Sequence, residues 1–293
     1  MKFIISCLRT NELILFNEDT QSIEKKLIIE GMNKFDILHS VRALEDKYLI
    51  STTYGVHFVE PNLSRIIASF SLERLSNVHS VDLIEENYFV IANTGYDELI
   101  FCRLDEKKQS LIIERLFDSA TYIGKPKKLE YKDRRAFPRV SASDDWTHIN
   151  CAYPGFFQNR LVLFCCLFHT GDIILVDPIK NEVAQKYSKT GIQTHSSYPI
   201  GNEIYVCSSQ ESMIKIFAKE SGVQTWEYLA PYSPWTRSAK PLGNQIIFTA
   251  EKDRTNKFPS SGYIGKIDKL SKELIWLFKM DEQAPFDIEV AIQ

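Results

Sequence analysis

The stretch Thr194-His195-Ser196-Ser197-Tyr198-Pro199-Ile200-Gly201-Asn202-Glu203-Ile204 recurs without gaps as Thr236-Arg237-Ser238-Ala239-Lys240-Pro241-Leu242-Gly243-Asn244-Gln245-Ile246. Each copy reads as a short strand, a Gly-Asn turn and the start of a second strand. A weaker echo links Cys7–Phe16 with Cys166–Leu175, again strand, polar turn, strand. With the His-Ser type of start as ruler, units begin at His39, His79, His148, His195 and Arg237, spaced 40, 69, 47 and 42 residues apart. Apolar residues come in runs of about four to eight, rich in Ile, Val, Leu, Phe and Tyr, and no stretch keeps helical spacing. In the unit around His39 four strands are expected, roughly at 37–44, 47–53, 56–60 and 64–71. Four-stranded units of this length are propeller blades.

The two ends of the chain complete the count. Residues 3–8, 11–17 and 24–30 supply three strands ahead of the first full unit. The missing innermost strand is expected from Phe286–Ile292, whose opening Phe286-Asp287-Ile288 matches Phe35-Asp36-Ile37. The fold expected is all-β, a six-bladed β-propeller in one domain over residues 1–293, its first blade closed by the C-terminal strand, which removes free edges. A five-bladed ring and a β-sandwich are the competing topologies.

Composition narrows the functional classes. With 44% apolar and 12% aromatic residues, the chain can bury a large core and is not a disordered segment. Thirty-five basic against 38 acidic residues give a net charge of −3, which offers no basic field for nucleic acid. The longest N-terminal apolar run, Phe3–Leu8, is far short of the ~20 residues of a spanning helix. A soluble, cytoplasmic protein with neither nucleic-acid nor membrane partner is expected. The six cysteines form no C-x-x-C pair and sit in or beside apolar runs, so buried, reduced thiols are expected.

Superposing the units places His39, His79, His148, His195 and Arg237 at the starts of the innermost strands, with Asp287 or Glu289 in the sixth place. Those starts line the mouth of the axial channel. The chain has only six histidines, and four fall on these positions. Imidazoles converging from rigid strands suit a borderline divalent metal such as zinc, manganese, iron or nickel. On this reading His39, His79, His148 and His195 bind the metal, Arg237 clamps a substrate anion, and Asp287 or Glu289 orients a histidine or acts as base. The same cluster also fits a metal-free acid/base or ligand site, or a wet structural channel.

The long gap between His79 and His148 holds an insertion at about 118–146, expected on the same face as the histidines. From Lys125 to Arg139 it carries seven basic and two acidic residues, Lys128, Arg134 and Arg135 among them, and reads either as a basic lid that would draw an anionic substrate to the mouth or as a solvated loop. A second long turn, 251–261, is expected on that face too. Tyr54 and Tyr96, in the short turns of other blades along with His169, are candidate sugar-stacking platforms or proton donors, with simple packing the alternative, and Asn150 a candidate substrate contact. His57, within an apolar strand, reads as structural. Trp146-Thr147-His148 and Trp235-Thr236-Arg237 share a lead-in that reads as packing, and Asp144-Asp145 reads as an uninformative acidic pair. No nucleophile elbow, phosphate loop, dinucleotide fingerprint, H-E-x-x-H or EF-hand loop occurs, nor the WD dipeptides of WD40 scaffolds.

The His-Ser starts, Ala92-Asn93-Thr94-Gly95-Tyr96-Asp97 and His148-Ile149-Asn150 resemble an uncharacterised family of bacterial six-bladed propellers. The resemblance spans most of the chain and implies the fold and little about activity. It is distantly similar to enzymatic propellers with channel histidines, but differs from gluconolactonase-like hydrolases, which hold calcium with Glu, Asn and Asp, and from the longer, seven-bladed carotenoid oxygenases. The expected function is a metal-dependent lyase or hydrolase acting on a small anionic, carbohydrate-derived ligand. The alternative is a noncatalytic propeller that binds a protein or glycan partner through its basic insertion.

Overall fold

The structure is a computed structural model that describes residues 1–8, 10–30, 36–105, 107–108, 110–126, 145–230, 235–252 and 261–292. The first blade contains β1 (Lys2–Cys7), β2 (Glu12–Asn17) and β3 (Ser22–Ile28). The second holds β4 (Leu38–Ala43), β5 (Tyr48–Thr52), β6 (Gly55–Val59) and β7 (Ile66–Phe70). In the third are β8 (Val78–Glu85), β9 (Tyr88–Asn93), β10 (Glu98–Asp105) and β11 (Ser110–Asp118). The fourth has β12 (Tyr153–Phe157), β13 (Arg160–Leu167), β14 (Asp172–Asp177) and β15 (Glu182–Tyr187). The fifth has β16 (Thr194–Ile200), β17 (Glu203–Ser208), β18 (Met213–Ala218) and β19 (Gln224–Leu229), and the sixth β20 (Trp235–Leu242), β21 (Gln245–Glu251), β22 (Gly262–Asp268) and β23 (Leu274–Met280). The C-terminal strand β24 (Pro285–Val290) pairs antiparallel with β1 and becomes the innermost strand of the first blade. All six sheets are four-stranded and antiparallel, and the inner strands touch in a closed circle, β4 to β8 through to β24 and back to β4. The six-bladed propeller expected from the repeat is the fold.

Position in the blade explains composition. Middle strands such as β14, Asp172-Ile173-Ile174-Leu175-Val176-Asp177, are buried along their whole length because neighbouring blades cover both faces. Outer strands such as β19, Gln224-Thr225-Trp226-Glu227-Tyr228-Leu229, alternate exposed and half-buried residues. Each apolar cluster spans two adjacent blades; one joins Phe3, Ile5 and Ile14 of the first to Ile247 and Ile264 of the sixth. All six cysteines are buried, free thiols. The repeated Gly-Asn turn also has a backbone cause: Gly201 and Gly243 open their hairpins at φ 52° and 60°, where a β-carbon is disfavoured. Among the described residues the only helical turns are α1 (Ser119–Tyr122) and a 3₁₀ turn at Thr94–Tyr96, and no helix is long and apolar enough to cross a membrane.

Inside the channel lies a knot of buried charge. Arg42 of β4 donates to Asp82 of β8 at 2.8 Å and to Asp287 and Glu289 of β24 at 3.2 and 2.8 Å. Lys240 of β20 reaches Asp287 at 3.0 Å and Glu289 at 2.7 Å. The Ser238 hydroxyl and the Val41 amide also donate to Asp287. Arg42 lies 4.3 Å over the Tyr153 ring and Lys240 5.4 Å over that of Tyr198. Burial pushes the Asp287 carboxyl upward, but Lys240 and Arg42 outweigh it and hold the pKa below the ordinary value.

Breaking a buried ion pair from one side costs about 3–5 kcal/mol, so Asp287→Ala should lower the unfolding free energy by that order in denaturant titrations at neutral pH. Because the folded-state pKa is the lower one, the Asp287 contribution is complete above the ordinary carboxylate value of about 3.9 and is lost as the pH falls through the folded value. The gap between wild type and variant should therefore close only in strong acid; equal stability at neutral pH would show the knot to be dispensable. A chain ending at Ala284 leaves the inner edge of β1 unpaired and should lose its cooperative unfolding transition by circular dichroism.

Candidate functional site

Each inner strand begins with an irregularity in its pairing. The register slips between Val78 and Ser80, Thr194 and Ser196, and Thr236 and Ser238, so His79, His195 and Arg237 are the unpaired extra residues of β-bulges. His39 falls within the same slip in β4, between Leu38 and Val41. A bulge re-aims its side chain, here toward the channel mouth. In the first blade the slip leaves out Phe286, so the sixth position belongs to Phe286 rather than to Asp287 or Glu289. In the fourth, pairing of Ile149 with Leu167 and of Tyr153 with Phe164 makes Asn150 the register residue. His148 lies two residues earlier, at φ 51°.

The histidines do meet at the mouth. Ring centroids are 4.5 Å apart for His39 and His79 and 5.0 Å for His79 and His148. Their centre, however, is occupied by an aromatic ring. Phe286 stands 5.3, 5.8 and 6.4 Å from His39, His79 and His195, and 5.4 Å from the Arg237 guanidinium. Burial keeps two of the imidazoles neutral: His39 is pushed down to about 3, with Arg237 and His148 adding to the effect, and His79 is held well below the ordinary value. His39 Nδ1 is buried without a hydrogen-bond partner.

His195 and Arg237 restrain one another. Arg237 donates from Nη1 to His195 Nε2 at 2.5 Å, and its Nε and Nη2 both reach Glu251. A guanidinium only donates, so His195 accepts at Nε2 and carries its proton on Nδ1, which faces Ser209 Oγ at 2.6 Å. The lone pair expected to bind a metal is engaged, and the expected anion clamp is neutralised by a carboxylate. Asp287 and Glu289, expected to orient a histidine or act as base, instead bind Arg42 and Lys240 in the channel. Tyr54 and Tyr96 are buried, 1% and 5% exposed, and present no stacking surface. Asn150 donates to the Thr194 carbonyl at 2.9 Å, while its Oδ1 is buried and unpartnered. His57 is held by Thr52 and Ser69, as a structural histidine should be. Lys128, Arg134 and Arg135 lie outside the described residues, as do positions 253–260 of the second long turn.

A different group brings its donors close enough together to share a metal ion. Among the described residues, Asp145, His148 and His169 form the group whose potential ligand atoms all lie within 4.8 Å of one another. Asp145 is buried; its Oδ2 faces His148 Nδ1 and its Oδ1 faces His169 Nε2, each at 2.7 Å. Burial pushes Asp145 upward, yet the hydrogen bonds from His148 and His169 outweigh it and hold the pKa below the ordinary value. Asp97 sets the backbone of this segment. Its carboxylate accepts the amides of Trp146, Thr147 and His148 at 2.7, 2.9 and 2.8 Å, which fixes the turn that carries His148. In the sequence alone Asp145 reads as part of an uninformative acidic pair; the signals that could have found the group are the Asp145-x-x-His148 spacing and His169 in the following turn of the same blade. A buried carboxylate with two imidazoles can hold a divalent ion and leave coordination positions open.

No family model matches the chain, and no curated protein does. Solved structures do. A protein of unknown function from Bacteroides caccae superposes with a TM-score of 0.67 at 14% identity, over 98% of this chain and 97% of that one. The dihydro-heme d1 dehydrogenase NirN, in complex with DHE, gives a TM-score of 0.52 at 11% identity, over 99% of this chain and 75% of that one. The computationally designed Ika8 protein gives 0.50 at 10% identity, over 97% and 74%. The chain is thus similar to a bacterial propeller of unknown function and, more distantly, to an enzymatic one, and at these identities the likeness establishes the fold alone.

Proposed function

We propose that the protein is a metal-dependent enzyme, a hydrolase or lyase of a small anionic substrate, with its metal held by Asp145, His148 and His169. The observation that carries this reading is the clustering of these three donors within 4.8 Å. Zinc, manganese, iron and nickel all accept such a mixed set. A divalent ion there would supply Lewis-acid polarisation and a lowered pKa for a coordinated water. Asp145 contributes the negative charge, Asp97 fixes the approach of His148, and His169 forms the solvent side, its side chain 31% exposed against 1% for Asp145. With Tyr54 and Tyr96 both buried, neither offers a sugar-stacking surface, and the reading keeps the anion and drops the sugar.

A second reading has its own observation. Asp145 hydrogen-bonds both imidazoles at 2.7 Å, and a buried carboxylate that orients a histidine also makes a metal-free general base.

Elemental analysis of tag-free protein, with calorimetric titration of zinc and manganese, separates the two. About one ion per chain is expected, lost in Asp145→Ala and His169→Ala and kept in His195→Ala. Asp97→Asn, which loosens the turn without removing a ligand, should weaken metal binding about 10- to 100-fold. Metal content unchanged by Asp145→Ala would overturn the metal reading. For a metal-bound enzyme, incorporation of isotopic oxygen from water marks a hydrolase, and a new ultraviolet-absorbing double bond marks a lyase.

A further inference from the structure

Asp145 and His148 are walled in, whereas His169 opens onto a cavity of about 470 Å³ between the fourth and fifth blades. That volume falls in the ~300–1,000 Å³ range of small-molecule sites. Its walls include Lys189, Gln193 and Gln210, and it also takes in Glu211 and Lys215. The last two cancel each other in an ion pair at 2.6 Å. Lys189 makes no ion pair among the described residues, so the cavity carries one uncompensated cation beside the exposed edge of His169. The loop that bears Lys189 is tied down: its amide donates to Asp172 at 3.1 Å, and Thr190 donates to the Gly171 carbonyl through both its amide, at 2.8 Å, and its hydroxyl, at 2.9 Å. Gly171 sits at φ 67°, and a β-carbon there would lie 2.0 Å from the Gly191 carbonyl oxygen, so a larger residue would drive this wall apart. The backbone that presents the Lys189 ammonium is thus fixed, which lowers the ordering cost of holding an oxyanion there.

We propose that this cavity is the substrate seat of the centre and takes a small oxyanion, a carboxylate or a phosphate, held by Lys189 and the Gln210 amide with its reactive end toward His169. The proposal rests on the metal reading for its catalytic meaning but not for the binding itself. Lys189 and Gln210 are exposed, and their replacement leaves the blade cores untouched.

The test titrates wild-type protein, metal-free and loaded with cobalt(II), with inorganic phosphate and separately with acetate, by calorimetry and by the cobalt absorption band. Saturable binding of at least one anion is expected, weakened about tenfold in Lys189→Ala, retained in Lys189→Arg and weakened severalfold in Gln210→Ala, with cobalt affinity the same in all four proteins. The stronger of the two anions identifies the substrate group. Anion binding that is absent, or indifferent to Lys189→Ala, overturns the seat even where cobalt binds. Lys189-dependent anion binding in a protein that takes up no cobalt upholds the seat and removes the metal reading.

Discussion

The ring depends on a carboxylate held between two cations. Asp287 belongs to the strand that closes the first blade, and Arg42 and Lys240, its partners, belong to the second and sixth. Those are the two blades that flank the closure. A buried ion network adds stability when its members are satisfied; here hydroxyl, amide and ring-face contacts supplement the ion pairs, and Arg42 Nη2 alone of the guanidinium nitrogens has no hydrogen-bond partner among the described residues. The knot therefore checks register as well as closure: slipping β24 by one residue would turn Asp287 and Glu289 out of the channel and Ile288, now fully buried between blades, into it. One residue before Asp287 stands Phe286, the ring at the centre of the mouth. The closure that stabilises the fold and the side chain that organises the mouth are consecutive residues of one strand.

The bulges give the mouth its character. A regular strand would send alternate residues to the channel; the extra residue at the head of each inner strand adds a further channel-facing position at one level around the ring. Four blades fill it with His39, His79, His195 and Arg237. These side chains pack against Phe286 and against one another, and burial keeps His39 and His79 neutral. They form a polar collar around an apolar plug.

What recurs in the chain was legible in the sequence. The repeat around His195 and Arg237 yielded the blade, the blade count and the closing strand, because every unit solves the same packing problem with the same turn and the same alternation. The convergence of histidines at one mouth followed from that register. The finer assignments failed where the chain departs from the repeat. His148 looks like a register residue but stands two positions early, on a turn held by Asp97, and Asn150 takes the place it seemed to fill. Asp145 has no counterpart in the other blades, and comparison of repeats placed His169 only among the short turns with Tyr54 and Tyr96, away from His148. Arg237 was legible as a cation at the mouth; that Glu251 neutralises it depends on a side-chain contact that no spacing encodes.

The charge balance of the mouth bears on what it can hold. Arg237 and Glu251 cancel, and His39 and His79 are kept neutral by burial. Asp145 is different: it is buried, its pKa is held low, and its two oxygens face the imidazoles of His148 and His169. The two imidazoles each meet one oxygen of this buried carboxylate at 2.7 Å, and burial makes those contacts more consequential than they would be in water. Imidazole protons can occupy those contacts, or a divalent ion can take their place among the same atoms. The 2.7 Å contacts are those of hydrogen bonds; an ion would draw on the same three donors from two separate turns, each pair opening slightly to share it. A divalent ion would also reverse the sign of the local charge, leaving the centre positive beside Lys189, the condition under which an oxyanion in the adjoining cavity is drawn toward His169 rather than repelled by Asp145.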